Sequence, residues 1–382
     1  MNNVLDFTKC SNCGACYNIC PTSAISVNSQ EMFYSLSVDS EKCVNCGLCK
    51  EVCPFNNPQQ KQNLVSAYMG YNRDEDVVKN SSSGGAFAAI AEYVLDKGGK
   101  VFAAAFSDDF RAVEFKSTDE TSLEKLMRSK YVESYVGNSF QKIKKELADG
   151  QFVLFCGAPC QVAGLKRFLK KDYENLITCD FSCEGMASHK TYIEYLENIE
   201  NKLKAPVSDV NFRAKLYGWS RHSIKITAEN GKAYKNFAMA DPYFYSFIGA
   251  AINLRDYCLK CKFPENHYAD IILADFWAYK RLSKVQNDDT GLSLLITNSQ
   301  KGEDILQAIS NTVTLTRLDL GKASYNMKNK SNSNEFIKKH NEFVKNCESN
   351  GFLYTMKQIK MPSKPKLLFR YYLGSIKDKL TK

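Results

Sequence analysis

From Leu64 onward, short apolar runs alternate with longer stretches in which apolar residues return every three or four positions. The apolar runs predict strands over Lys100–Phe106, Ala112–Lys116, Phe152–Cys156, Leu176–Asp180, Ile271–Ala274, Leu292–Thr297 and Thr312–Leu318. The helical period falls at Ala86–Asp96, Glu120–Arg128, Phe140–Ala148, Gln161–Lys170, Thr191–Lys204 and Gly302–Asn311. Strands alternating with helices predict an α/β body with a mixed, largely parallel sheet. Val207–Ala240 is richer in strand signals, with strict alternation in His222–Thr227. No apolar run approaches the roughly 18 residues that a membrane-spanning helix needs.

The first 60 residues follow another rule. Cys10, Cys13, Cys16 and Cys20, followed by Pro21, recur 33 residues later as Cys43, Cys46, Cys49 and Cys53, followed by Pro54. Each copy is the bacterial ferredoxin run for a [4Fe–4S] cluster, in which the fourth cysteine ligates the other cluster. Three thiolates at three-residue steps let a tight loop wrap one face of a cubane. The expected sets are Cys10, Cys13, Cys16 and Cys53 for one cluster, and Cys43, Cys46, Cys49 and Cys20 for the other. Gly14, Ala15 and Gly47 let the backbone close around them. Structural zinc also takes Cys-x-x-Cys pairs, but it does not call for two three-plus-one runs that end in Cys-Pro. A small ferredoxin-like α+β domain is therefore expected over residues 1–60, followed by a polar, proline-broken linker at 56–63.

Composition changes the picture in two places. The 382 residues are 44% hydrophobic and 24% charged, which is globular and excludes a disordered chain. The fifteen cysteines are an odd number, and Met1–Lys9 shows no basic start before an apolar stretch. A disulfide framework is therefore not expected, and a cytoplasmic location is. The net charge is +9, of which residues 357–382 carry +7, from eight basic and one acidic side chain. This is a basic tail on a nearly balanced body. It is not a nucleic-acid-binding surface. Leu368, Tyr372, Ile376 and Leu380 fall at four-residue steps, a pattern suited to peripheral membrane contact or to packing on the body.

Six more cysteines lie in the body. Cys156 and Cys160 flank a predicted strand-to-helix turn, Cys179 and Cys183 follow the next strand, and Cys258 and Cys261 lie in a charged loop. Loops at the carboxyl ends of strands converge in open α/β sheets. A third cluster, a zinc or redox pair, and plain buried thiols are the competing readings. Cys156 and Cys179 end apolar runs and read as core or pocket lining, and Cys347 as incidental. Asn80–Phe87 (Asn-Ser-Ser-Ser-Gly-Gly-Ala-Phe) opens a helix with free amides and hydroxyls, which suits a phosphate or an ordinary N-cap. Ser129, Lys130 and Tyr131 add a cation and an aromatic ring. His189 reads as an exposed residue that begins a helix. Asp256 and Asp275 read as caps or as partners of Arg255 and nearby lysines.

Taken together, these blocks resemble the coenzyme F420 hydrogenase/dehydrogenase beta-subunit family. The resemblance rests on Ser82–Gly85, Ser129–Val132, Gly157–Leu165, Asp180–Cys183, Arg255–Cys261, Ala269–Asp270 and Asp275–Trp277. It implies a body with parts at 64–150 and 151–325 and a helical extension with the basic tail at 326–382. It also implies FAD near Ser82, Ser83, Gly84, Gly85, Ser129, Lys130, Tyr131 and Gly157, and a third [4Fe–4S] cluster on Cys160, Cys183, Cys258 and Cys261. The implied activity is an iron–sulfur flavoprotein oxidoreductase. Electrons from ferredoxin or another redox protein would reach coenzyme F420 or another small organic substrate. The alternative is a non-catalytic electron-transfer subunit. Two departures from the family pattern, Cys183–Ser188 (Cys-Glu-Gly-Met-Ala-Ser) and Ala274, are expected in loops that face the substrate.

Overall fold

The computed structural model describes residues 5, 7, 10–58, 63–263, 266–282, 288–324, 334–363, 365–367 and 369. Near the N-terminus β1 (Ile25–Asn28) and β2 (Ser35–Val38) pair antiparallel, with Ile25 opposite Val38. Short helices at Ala15–Ile19 and Leu48–Glu51 flank this hairpin. Each is entered through a left-handed glycine, Gly14 at φ 90° and Gly47 at φ 77°. A side chain would strain both turns.

The body is built on nine strands. These are β3 (Ser66–Asn72), β4 (Lys100–Phe106), β5 (Val113–Ser117), β6 (Ser134–Tyr135), β7 (Val153–Cys156), β8 (Leu176–Phe181), β12 (Ile271–Asp275), β13 (Ser293–Thr297) and β14 (Val313–Leu318). Their order is β14-β3-β13-β12-β8-β7-β4-β5-β6. The central run β12-β8-β7-β4 is parallel, and antiparallel pairs flank it. Both faces of the centre are covered, which is why these strands read as continuous apolar runs. On one face Ile90, Val94 and Ile305 pack on Val101, Leu154 and Ile177. On the other, Phe140, Val162 and Phe168 pack on Phe102 and Phe155, and Cys13, Ala15 and Val52 join the same core. The hydrophobic core thus runs without a break from the N-terminal module into the body.

A second sheet, β11-β10-β9, uses β9 (Val207–Ala214), β10 (Ser223–Ala228) and β11 (Ala233–Phe237). The helix His189–Leu203 covers it, with Tyr192, Leu196 and Ile199 on Phe212, Ile224 and Ile226. Helices Asn334–Asn350 and Phe352–Gln358 close the same core. Cys347 is buried there beside Phe343 and Phe352. The helix expected over Glu120–Arg128 is a single turn, Leu123–Leu126. The Glu120 carboxylate instead accepts from Ser117 N and Oγ, both at 2.9 Å, and Arg128 takes a left-handed φ of 68°. The stripe Leu368, Tyr372, Ile376 and Leu380 lies outside the described residues. Among the described residues no helix is long and apolar enough to cross a membrane.

Asp241 is a fully buried carboxylate in this second core. It accepts from Tyr195 Oη at 2.7 Å, Tyr234 Oη at 2.9 Å and Phe244 N at 3.0 Å. Burial outweighs these bonds and pushes its pKa up to about 6. The folded protein therefore holds a proton that the unfolded chain has lost. The resulting stability is present below about pH 4 and lost as pH rises through about 6, a change of about 3 kcal/mol. Asp241→Asn is expected to abolish this slope, so that the variant matches or exceeds the wild type at about pH 7.5 and falls behind it at about pH 5 in urea unfolding.

Candidate functional site

The body and the module bring twelve cysteines into three groups. Cys10, Cys13, Cys16 and Cys53 lie within each other's electrostatic reach. Burial, then the neighbouring thiols, pushes Cys13 up to about 12. Cys20, Cys43, Cys46 and Cys49 line one hollow in the module, where Cys46 is exposed. Burial acts to raise Cys20, but hydrogen bonds from Ala24, Thr22 and Ile25 together bring it below the usual thiol range; Ala24 N lies 3.2 Å from its sulfur. The third group is Cys160, Cys183, Cys258 and Cys261, each of which acts on Cys160 or on its neighbours. Among the described residues no three His, Cys, Asp or Glu side chains converge closely enough for a single metal ion.

The groups lie in sequence through the molecule. Cys13 acts on Cys160 across the module boundary. Contact is close there because Gly164, in the helix Pro159–Leu169, has no side chain. A Cβ at that position would lie 3.1 Å from Cys13 Sγ. Cys183 in turn lines a cleft of ≈ 540 Å³ that opens between the two sheets. That volume lies within the range of ligand pockets.

The cleft gathers most of the expected cofactor residues. Ser82, Ser83 and Gly85 form its rim at the start of the helix Ala86–Asp96, and Gly85 enters that helix at φ 81°. Ser129, Lys130, Tyr131 and Gly157 line it as well. Ser129 N donates to Ser82 Oγ at 2.9 Å, which ties the two blocks together. Gly84 does not face the cleft. It is buried against β3 and β13, where a Cβ would lie 2.6 Å from Gly70 O. The Ser83 hydroxyl is used on Leu292 O at 2.8 Å. Lys130 donates to Met127 O at 2.6 Å, and burial, reinforced by Arg128, brings its ammonium down to about 7.

Several cleft residues were not legible in the motifs. Arg213, on β9, holds Asp275 through two bonds at 2.7 and 3.0 Å. It also donates to Tyr131 Oη and Ser82 O, both at 3.2 Å. Trp219 Nε1 donates to Asp275 at 2.8 Å, and its ring stacks on Trp277 at 4.4 Å. Asp275 thus pairs with Arg213, not with Arg255 or a lysine. Lys215 donates to Ser83 O at 2.7 Å. His222 lies at the cleft wall with neither ring nitrogen hydrogen-bonded, and burial, with Arg213 nearby, brings it down to about 3. No run or motif marks Arg213, because Val210–Ala214 (Val-Asn-Phe-Arg-Ala) alternates apolar and polar residues like any half-exposed strand. The departures Cys183 to Met186 do line the cleft, but Ala274, also on its wall, stands in β12 and not in a loop.

Two further expectations change. His189 does begin a helix, but it is buried at 2% exposure and bonded to Glu133 at 2.7 Å. Asp256 pairs with His340 Nε2 at 2.9 Å. Cys156 and Cys179 are register partners on β7 and β8. Cys179 is packed in the core, and Cys156 borders the cleft.

Residues 150–320 match the family model for the C terminus of the coenzyme F420 hydrogenase/dehydrogenase beta subunit. Residues 9–57 match that of a 4Fe-4S dicluster domain. No curated protein matches the chain. Among solved structures it is similar to a chain of the xenon-derivatized F420-reducing [NiFe] hydrogenase complex from Methanosarcina barkeri. The identity is 15%, over 77% of this chain and 95% of that chain, with a TM-score of 0.47. The chain thus joins a segment similar to the C terminus of the coenzyme F420 hydrogenase/dehydrogenase beta subunit, at residues 150–320, to a segment similar to a 4Fe–4S dicluster domain, at residues 9–57.

Proposed function

We propose that this protein is an iron–sulfur flavoprotein oxidoreductase that carries electrons between a ferredoxin-type partner and a small organic substrate, coenzyme F420-like or otherwise conjugated. The observation that carries the reading is the succession of thiol groups from exposed Cys46, through Cys13 and Cys160, to Cys183 on the cleft wall. The residues fit the cofactors. Asn12 Nδ2 is buried without a partner next to the inner module set, as a donor awaiting a cluster sulfur would be, and the Ser11 hydroxyl is buried against Cys13. The serine turn, the helix start behind it and Lys130 supply donors for an anion in the cleft. In this reading Cys10, Cys13, Cys16 and Cys53 hold one cluster, Cys20, Cys43, Cys46 and Cys49 a second, and Cys160, Cys183, Cys258 and Cys261 a third, while the cleft holds FAD.

When bound, the clusters supply one-electron steps and the flavin supplies a two-electron, hydride-equivalent step. The chain supplies the rest. Arg213 and Asp275 lock the cleft wall, and Trp219 holds Trp277 half exposed along it. His222 stays neutral at ordinary pH and offers a ring N–H or a lone pair without exchanging protons. Exposed Val44 beside Cys46 gives the outer set an apolar surface for a partner.

Anaerobic iron, sulfide and flavin analysis of one reconstituted sample tests the proposal. The expected count is about twelve irons, four per cubane, with one flavin. About eight irons without flavin would overturn it. Reduction of that flavin only when a protein partner is present would instead mark an electron-transfer subunit.

A further inference from the structure

The serine turn at the cleft rim is held from the second sheet by two cations. Arg213, on β9, and Lys215, just past the end of that strand, stand two positions apart, so their side chains leave the same side of an extended chain. Arg213 Nη2 donates to Ser82 O at 3.2 Å. Lys215 Nζ donates to Ser83 O at 2.7 Å and also to Val78 O. The next two carbonyls are engaged as well, Gly84 O by Asn72 N at 2.7 Å and Gly85 O by Ala89 N at 3.5 Å. Every carbonyl from Ser82 to Gly85 therefore has a donor within the protein.

The amides of the turn are in the opposite condition. Gly84 N donates to Ser293 Oγ at 3.0 Å, but among the described residues the N–H groups of Ser82, Ser83 and Gly85 have no acceptor. The peptides are trans, so each N–H points opposite to the carbonyl before it. A donor on Ser82 O thus turns the Ser83 N–H away from the second sheet. The space around Lys215 is tight: a Cβ at Gly291 would lie 2.3 Å from Ser83 O and 2.7 Å from Lys215 Nζ. Burial and the Arg213 charge bring the Lys215 ammonium down to about 8, while Asp275 and Asp289 act the other way. Arg213 is paired with Asp275 at 2.7 Å, and Asp289 accepts from Ser220 N at 2.7 Å. The other rim repeats the arrangement, where Lys130 Nζ donates to Met127 O at 2.6 Å and Arg128 O at 3.3 Å, just before Ser129.

We infer that Lys215 is a positioning residue for the phosphate end of the ligand in the cleft. By holding the Ser83 carbonyl toward the second sheet, it leaves the amides of the turn free for phosphate oxygens, and its charge backs them. The inference rests on the reading above, in which the cleft holds FAD beside the serine turn. Lys215 is not among the residues that line the cleft, so it acts through Ser83. Without it Ser83 O loses its donor, and the Ser83–Gly84 peptide is held by Ser293 alone. A carbonyl that swung toward the ligand would repel a phosphate where an N–H would bind it.

The test is an anaerobic titration of the full-length, cluster-reconstituted, flavin-free protein with FAD and, separately, with riboflavin, followed by quenching of the flavin fluorescence. Riboflavin has the same ring system and no phosphate. Lys215→Met, which keeps the length of the side chain without its charge, is expected to weaken FAD binding at least about tenfold, the contribution of one charged hydrogen bond, and to leave riboflavin binding within about twofold. That split separates a hold on the phosphates from a general loosening of the cleft. Unchanged FAD affinity in Lys215→Met, or an equal loss of FAD and riboflavin, would overturn the inference. So would a wild type that binds riboflavin as tightly as FAD. Should Lys215→Met not fold, Lys215→Gln decides by the same criteria. A wild type that binds neither flavin would instead overturn the functional reading beneath it.

Discussion

Cys160→Ser is expected to lose about four of about twelve irons and to slow flavin reduction by the partner protein by more than about tenfold. The substitution is nearly isosteric, so the buried start of the helix Pro159–Leu169 should keep its packing. What it removes is the sulfur that faces both Cys13 and the rest of the third set. The two module sets share no ligand with it and should keep their iron. Small-molecule reductants reach the cleft directly, so they should still bleach the flavin at close to the wild-type rate. Iron analysis and stopped-flow absorbance read both halves of the expectation. Because a serine oxygen can itself bind iron, full iron retention in Cys160→Ala as well would show that Cys160 is not a ligand.

Arg213→Ala should have the largest effect at the cleft. Arg213 is 5% exposed, and its removal strips Asp275 of two hydrogen bonds while Asp275 stays partly buried. Breaking one side of a buried pair costs about 3 kcal/mol at the lower end of such cases, which applies here because Asp275 keeps some contact with water. Ser82, Tyr131 and Trp219 all converge on this pair, directly or through Asp275. The cleft wall should therefore loosen as well as the fold, and flavin occupancy should fall several-fold. Urea unfolding measures the first effect and the flavin absorbance of the purified variant measures the second. Arg213→Lys should restore only part of either, since an ammonium cannot form the paired bonds with a carboxylate.

The parts of this molecule that follow from local rules were legible in the sequence. Strands β4, β7, β8, β12 and β13 are covered on the body's faces, and their apolar runs announce it. The cysteine runs are legible for a similar reason: a cubane imposes its spacing on one short loop. β3 (Ser66–Asn72) escaped because Ser66, Gly70 and Asn72 interrupt its apolar pattern, though it lies inside the sheet between β13 and β14. The Glu120–Arg128 helix was over-read because its period ignores the turn made by Ser117 and Glu120. The site was less legible wherever meaning depends on a distant partner. His189 lies between Ser188 and Lys190 and looks exposed, yet the β1–β2 hairpin buries it from some 160 residues away. Arg213 and His222 belong to no motif, and only the meeting of the two sheets brings them to the serine turn.

The bare backbone at Gly164 has an electrical meaning as well as a steric one. Protein matter is an insulator, and tunnelling through it falls off exponentially with thickness. Even a methyl group there would crowd Cys13 at 3.1 Å and press the helix that bears Cys160 away from the module. On the electron path proposed above, the missing side chain keeps the insulating layer between Cys13 and the helix that bears Cys160 thin.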